Sequence, residues 1–60
     1  MYIVEVEYKL NDKWIRETIH NLIADDETDA RDVAYQSVKN NNPTATYIDV
    51  LNISHEVEGV

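Results

Sequence analysis

The chain has 60 residues and a formal charge of −7 at neutral pH, from twelve acidic and five basic side chains. A chain of this length forms a single domain with a thin core, because folding buries only about 60% of the surface that the unfolded chain exposes. It contains no cysteine, so disulfides and thiolate metal sites are excluded and a reducing compartment is favoured. The acidity disfavours binding to free nucleic acid or to an anionic membrane, since neutralising phosphates requires lysine and arginine.

The sequence predicts no targeting or membrane-spanning segment. Its first residues, Met-Tyr-Ile-Val-Glu-Val-Glu-Tyr, lack the basic and apolar regions of a signal peptide. No apolar run approaches the roughly 20 residues that a transmembrane helix requires. We therefore expect a soluble protein of the cytoplasm.

The first half of the chain predicts a β-hairpin. Residues 2–10 alternate between apolar and polar side chains, which indicates a strand with one buried face. Asn11 and Asp12 form a two-residue turn, because both side chains tolerate positive φ. Residues 13–23 then form the second strand.

This turn sets the register of the hairpin, so that the numbers of opposed residues sum to 23. The register predicts a salt bridge and a cation–π pair on the outer face. The opposed pairs are Val4–Ile19 and Tyr8–Ile15 on the inner face, and Glu7–Arg16 and Lys9–Trp14 on the outer face. Glu17 does not fit this pattern, because it falls opposite the apolar Val6. The face of the sheet that it occupies is left undecided.

Residues 27–40 predict an amphipathic helix. Asp26 is the expected N-cap, with Asp29 three residues further on. Apolar and small residues recur with helical spacing and suit a helix that lies close on a sheet. They are Ala30, Val33, Ala34, Ser37 and Val38. Pro43 prevents the helix from continuing, and we expect an asparagine of the run 40–42 to cap it in the left-handed conformation.

Residues 45–55 predict a third strand with blurred alternation. Ile48 and Val50 share one face, whereas Tyr47, Leu51 and Ile53 share the other. Either a bulge near Leu51 and Asn52 reconciles the two sets, or both faces of this strand are covered. The tail, residues 56–60, is expected to fray.

These elements predict one α+β domain spanning residues 1–60. The hairpin strands are antiparallel, and the helix carries the chain back so that the third strand lies beside the first. The expected fold is ββαβ, a three-stranded antiparallel sheet of order 2-1-3 with one helix packed on one face.

The sequence predicts no enzyme, metal site or cofactor. His20 and His55 lie on different strands, whereas a metal site needs three or four convergent ligands. In the run Ser54-His55-Glu56, consecutive strand residues point to alternating faces, so no hydrolytic triad forms. The acidic run 25–29 lacks the turn glycine and the distal glutamate of a calcium loop, and we interpret it as helix capping.

Binding to another protein is the function that remains. Tryptophan and tyrosine are enriched at binding hot spots, and carboxylates suit a basic surface. The candidate partner-binding residues are Glu5, Glu7, Asp12, Trp14, Glu17 and Tyr47. Leu51 and Ile53 are expected on the same outer face as Tyr47. The alternative is a structural homodimer or assembly subunit, paired through an edge strand or the outer face.

The segment from Ile23 to Ala34 reads Ile-Ala-Asp-Asp-Glu-Thr-Asp-Ala-Arg-Asp-Val-Ala. It resembles the strand exit, acidic cap and alanine-rich helix of short acidic ββαβ accessory proteins carried by phages and mobile elements. That class includes inhibitors of host defence and antitoxin-like proteins. The resemblance implies an inhibitor that acts in the host cytoplasm, and it carries over no functional residue.

Overall fold

The structure is a computed structural model that describes residues 1–55. Its elements follow in the order β1 (Tyr2–Leu10), β2 (Lys13–Leu22), α1 (Glu27–Asn41) and β3 (Thr46–His55). The strands form an antiparallel sheet in the order β2-β1-β3, and α1 packs on one face of it. The predicted ββαβ fold, with β1 in the centre, is therefore confirmed. The expected fraying of residues 56–60 lies outside the described residues.

The hairpin has the predicted turn and register. Asn11 and Asp12 have φ values of 52° and 64°, as a two-residue turn of type I′ requires at both central positions. Every pair from Leu10–Lys13 to Val4–Ile19 follows the predicted register. The inner and outer faces of the hairpin are thus set by a turn whose two residues tolerate positive φ.

A bulge at the end of β2 turns Leu22 toward the core. The register shifts between the Val4–Ile19 and Tyr2–Leu22 pairs, and Asn21 lies between them with a φ of 56°. Uninterrupted alternation would place Leu22 on the outer face. With the bulge, Leu22 is buried opposite Tyr2, and the strand ends before the exposed Ile23.

The helix lies close on the sheet because its contact stripe is made of small residues. Ala30 and Ala34 are fully buried against the core, to which Val4 and Val6 of the central strand also belong. The Oδ1 atom of Asp26 accepts a hydrogen bond of 2.8 Å from the backbone N–H of Asp29, so the predicted N-cap is confirmed.

Across residues 1–55, no helix combines the length and apolar character needed to cross a membrane.

The helix ends in a different conformation from the one expected. Asn42 is the C-cap, but its φ is −136°, and no residue of the run 40–42 is left-handed. The ring of Pro43 restricts the preceding residue to extended conformations, which explains why Asn42 avoids the left-handed region. Its backbone N–H and its side-chain amide both donate to the carbonyl oxygen of Val38, at 2.8 and 3.3 Å.

A bulge at Leu51 decides which residues at the end of β3 face the core. The register shifts between the Glu5–Asn52 and Val6–Val50 pairs, so Leu51 is the extra residue, at the predicted position of a bulge. Because of this bulge Ile53 falls opposite Val4 and packs on the core. The expectation that Ile53 shares the outer face with Tyr47 was therefore wrong.

Candidate binding surface on the open face of the sheet

The face of the sheet opposite α1, here called the open face, carries most of the predicted binding residues. Alternation along β1 places Ile3, Glu5, Glu7 and Lys9 on this face, each half-buried. Within residues 1–55 no helix packs on it, because α1 covers the other side. Side chains of the open face are therefore available to a partner.

Two aromatic rings meet above the central strand at the hairpin end of the open face. Trp14 of β2 and Tyr47 of β3 have ring centroids 6.0 Å apart and an angle of 44° between their planes. Their exposed fractions are nevertheless 59% and 72%. The Nζ atom of Lys9 lies 5.9 Å from the centroid of the Trp14 ring, which confirms the predicted cation–π pair. Much of this aromatic surface thus stays open to solvent.

The backbone at Tyr47 adopts an unfavourable conformation. Its φ is 53°, in the left-handed region, and Tyr47 is the extra residue between the Glu7–Asp49 and Lys9–Thr46 pairs. For residues other than glycine, asparagine and aspartate this conformation costs about 1–2 kcal/mol. Strained positions of this kind cluster at functional sites. Here the strained residue is an exposed tyrosine whose ring lies beside that of Trp14.

Below the rings, three charged residues form a row across the sheet. Arg16 lies opposite Glu7 on one side, and Asp49 lies opposite Glu7 on the other. The Nη2 atom of Arg16 is 3.0 Å from Oε2 of Glu7, as the hairpin register predicted. This hydrogen bond, together with the charges of Glu7 and Glu5, raises the pKa of Arg16. Among residues 1–55 no ion pair is formed by Asp49.

The two rings and the carboxylates of Glu7 and Asp49 border a shallow cleft, here called the aromatic–acidic cleft. It has a volume of about 330 Å³ and is lined by Glu7, Trp14, Tyr47, Ile48 and Asp49. A second hollow of about 470 Å³ runs along α1, but its lining comes from that helix alone. Asp32 is the charged residue of that lining, whereas the aromatic–acidic cleft joins two carboxylates to two aromatic rings. Convergent polar and aromatic groups from all three strands favour the smaller cleft as a binding site.

The structure brings four of the six predicted residues together on the open face: Glu5, Glu7, Trp14 and Tyr47. Asp12 lies in the hairpin turn, at the end of the sheet where Trp14 and Tyr47 meet. Glu17 lies on the helix-covered face, opposite Val6, and accepts a hydrogen bond from the hydroxyl of Tyr8.

Asp49 was missed by sequence reasoning, although a signal for it was present. Ile48 and Val50 were expected to share one face, and both pack on the core. Asp49 lies between them and so must point to the other face, where it is opposed to Glu7. The acidic character of this face therefore extends onto β3.

Candidate metal ligands are not clustered in the part of the chain that the structure describes. No three histidine, cysteine or carboxylate side chains in residues 1–55 are grouped so that they could hold a metal ion. The His55 ring packs edge-on against Tyr2, with centroids 4.9 Å apart, while His20 lies on the opposite edge strand of the sheet.

Comparison with models of protein families, with curated proteins and with solved structures finds no match to this chain.

Proposed function

We propose that this chain is a non-catalytic protein-binding module that uses the open face of its sheet to occupy a basic site on another protein. The observation that carries the proposal is the Trp14–Tyr47 pair, two exposed rings held together above two carboxylates. Aromatic side chains anchor protein interfaces because they bury a large area with few rotatable bonds. Carboxylates beside them favour a partner of opposite charge.

The distribution of charge supports the same assignment. Glu5, Glu7 and Asp49 lie on the open face and Asp12 lies at its hairpin end, against Lys9 and Arg16. The net charge of −7 adds a long-range attraction toward a basic surface and speeds encounter with it. A partner that normally binds DNA or RNA presents such a surface.

Inhibition by occupation of that surface is the role that we assign to the module, in the cytoplasm. A small acidic domain that covers a basic site blocks access without any chemistry of its own. The resemblance to phage accessory proteins supports this proposal, and it makes a host protein the expected target.

Affinity capture with matched variants tests the proposal. Immobilised wild-type protein is compared with Trp14→Ala and with the double variant Glu7→Gln/Asp49→Asn. The control is Glu27→Gln/Asp32→Asn, which changes the net charge by the same two units on the helix. We expect a partner with a basic surface to bind the wild type and the control, and to be lost from the two open-face variants.

Salt dependence provides a second criterion. Charge-driven binding should weaken steeply between low and high salt, because the Debye length falls from about 10 Å at 0.1 M to about 3 Å at 1 M. Charge reversal at Glu5, Glu7 and Asp12 should abolish capture while the fold persists. Capture that is insensitive to salt and survives both open-face variants would sink the proposal.

A structural homodimer is the second candidate, and the regular edge of β2 favours it. From Lys13 to Ile19 this edge strand keeps an unbroken register, whereas β3 is interrupted at Tyr47 and Leu51. Unbroken edges accept another strand more readily than bulged ones. Sedimentation equilibrium at micromolar concentration discriminates, since a strict monomer removes this candidate.

A further inference from the structure

We propose that the aromatic–acidic cleft is a receptor for one arginine side chain of the partner, with the guanidinium between Asp49 and the Trp14–Tyr47 rings. The inference rests on the proposed function and deepens it, because it names the group that the open face recognises. The order of charges across the sheet, the geometry of the two rings and the position of Lys9 support it.

The row of charges across the sheet lacks a second cation. Its order is Arg16, Glu7, Asp49. Two carboxylates are therefore directly opposed, and the cation lies at one end of the row. Like charges opposed across strands destabilise a sheet. Arg16 offsets this at Glu7, but within residues 1–55 no basic side chain pairs with Asp49. A cation supplied by a partner at Asp49 would give each of the two opposed carboxylates a cation beside it.

The two rings provide a wall for that cation. Their centroids are 6.0 Å apart, so the rings touch and leave no room for a flat group between them. A guanidinium must therefore lie against the outer side of the pair, where Tyr47 is exposed and Asp49 borders the same cleft. There it can stack on a ring and present its N–H groups to a carboxylate at the same time.

Lys9 shows that this aromatic wall already attracts a cation. Its Nζ atom lies 5.9 Å from the Trp14 centroid, within the range of a cation–π interaction. Because Lys9 approaches from the central strand, its charge opposes a second cation in the cleft. Replacing Lys9 by a neutral residue should therefore tighten binding of an external guanidinium.

Arginine is favoured over lysine by the shape of the cleft. A guanidinium is planar, stacks on aromatic rings and binds carboxylates through a fork of N–H groups, whereas an ammonium is a strongly hydrated point charge. The cleft joins an aromatic wall to carboxylates, which matches the planar group on both counts.

The test uses three short peptides and the whole chain. Acetyl-Gly-Arg-Gly-amide is titrated into the ¹⁵N-labelled protein, with the citrulline peptide as a neutral isostere and the lysine peptide as a second cation. Trp14 is the one tryptophan of the chain, so its indole N–H is an unambiguous reporter. We expect saturable shifts at Trp14, Tyr47 and Asp49 with the arginine peptide, weaker ones with lysine and none with citrulline.

Variants then locate the site. Asp49→Asn and Trp14→Leu should each weaken binding about two- to fivefold, the size expected for an exposed charge pair or cation–π contact. Lys9→Gln should tighten it by a similar factor, while Asp32→Asn on the helix leaves it unchanged. Tyr47→Leu is a second variant that removes an aromatic ring. Dispersed spectra establish that each variant is folded.

Several outcomes would overturn the inference. They are equal binding of the citrulline peptide, lysine binding as tightly as arginine, and shifts spread evenly over all acidic residues. Equal losses for Asp49→Asn and Asp32→Asn would also reject it. If the arginine peptide fails while capture of the partner still depends on Trp14, the cleft is not an arginine receptor and the proposed binding function stands. If capture survives both open-face variants and is insensitive to salt, both are wrong.

Discussion

The hydroxyl of Tyr8 donates a hydrogen bond to the carboxylate of Glu17 diagonally across the hairpin, on the face that α1 covers. Tyr8 is 3% exposed, whereas Glu17 opens to solvent at the edge of the sheet. A buried phenol therefore reaches a solvated acceptor, and the carboxylate that fits poorly opposite Val6 gains a partner.

Removing this hydrogen bond should destabilise the fold. Tyr8→Phe is expected to lower the free energy of unfolding by about 0.5–1.5 kcal/mol, the net contribution of a typical hydrogen bond. Urea denaturation at neutral pH measures it. Tyr35→Phe is the control, because Tyr35 is exposed on the helix and should change stability by less than about 0.5 kcal/mol. Equal effects of the two substitutions would contradict the assignment.

The same contact predicts a loss of stability at alkaline pH. The hydrogen bond to Glu17 raises the pKa of Tyr8 above its ordinary value of 10.0. Burial and the charge of Glu17 raise it further. The folded state thus holds this proton more tightly than the unfolded state. The resulting stabilisation is complete below about pH 10 and is lost as the pH rises through the raised pKa.

Urea denaturation from about pH 8 to about pH 11 tests this prediction. The free energy of unfolding should fall more steeply for the wild type than for Tyr8→Phe, which lacks the ionising group. Parallel curves for the two proteins would show that Tyr8 titrates as it does in the unfolded chain.

The left-handed backbone at Tyr47 predicts an unusual ranking of substitutions. Tyr47→Asn and Tyr47→Val both remove the ring, but asparagine tolerates a φ of 53° and valine does not. The asparagine variant should therefore be more stable by about 1–2 kcal/mol, measured by thermal or urea unfolding. A regular strand position would give the opposite ranking, since valine favours strands.

Ala34 limits how closely α1 approaches the sheet. It is fully buried, so Ala34→Leu should cost about 1–3 kcal/mol through overpacking, a large part of the stability of so small a domain. Gln36→Leu places the same side chain on the exposed side of the helix and should change stability by less than about 0.5 kcal/mol. Similar unfolding midpoints for both variants would mean that α1 can move away from the sheet.

Removing the N-cap should destabilise the start of the helix. Asp26→Ala removes the acceptor for the backbone N–H of Asp29 and should lower the free energy of unfolding by about 0.5–2 kcal/mol. Asp32→Ala removes the same charge from the middle of the helix and serves as the matched control. Circular dichroism during urea unfolding measures both variants. Equal free energies of unfolding would mean that the cap does not contribute to stability.

The sequence by itself determined the features of this protein that depend on near neighbours. The Asn11–Asp12 turn imposes the hairpin register, because two residues with positive φ leave one way to pair the strands. The N-cap at Asp26 and the alanine stripe of α1 are likewise local, since capping and helical periodicity act over a few residues. The Glu7–Arg16 and Lys9–Trp14 pairs follow directly from that register.

Tertiary structure decided which breaks in alternation form and what the breaks bring together. The bulges at Asn21 and Leu51 turn Leu22 and Ile53 inward because the core gains buried apolar area from them, and this depends on strands distant in sequence. Tyr47, with its left-handed backbone, has its ring beside that of Trp14, and no local pattern predicts this contact between the two edge strands. The aromatic–acidic cleft exists only because β3 lies beside β1, which sets Asp49 next to Glu7 below those rings.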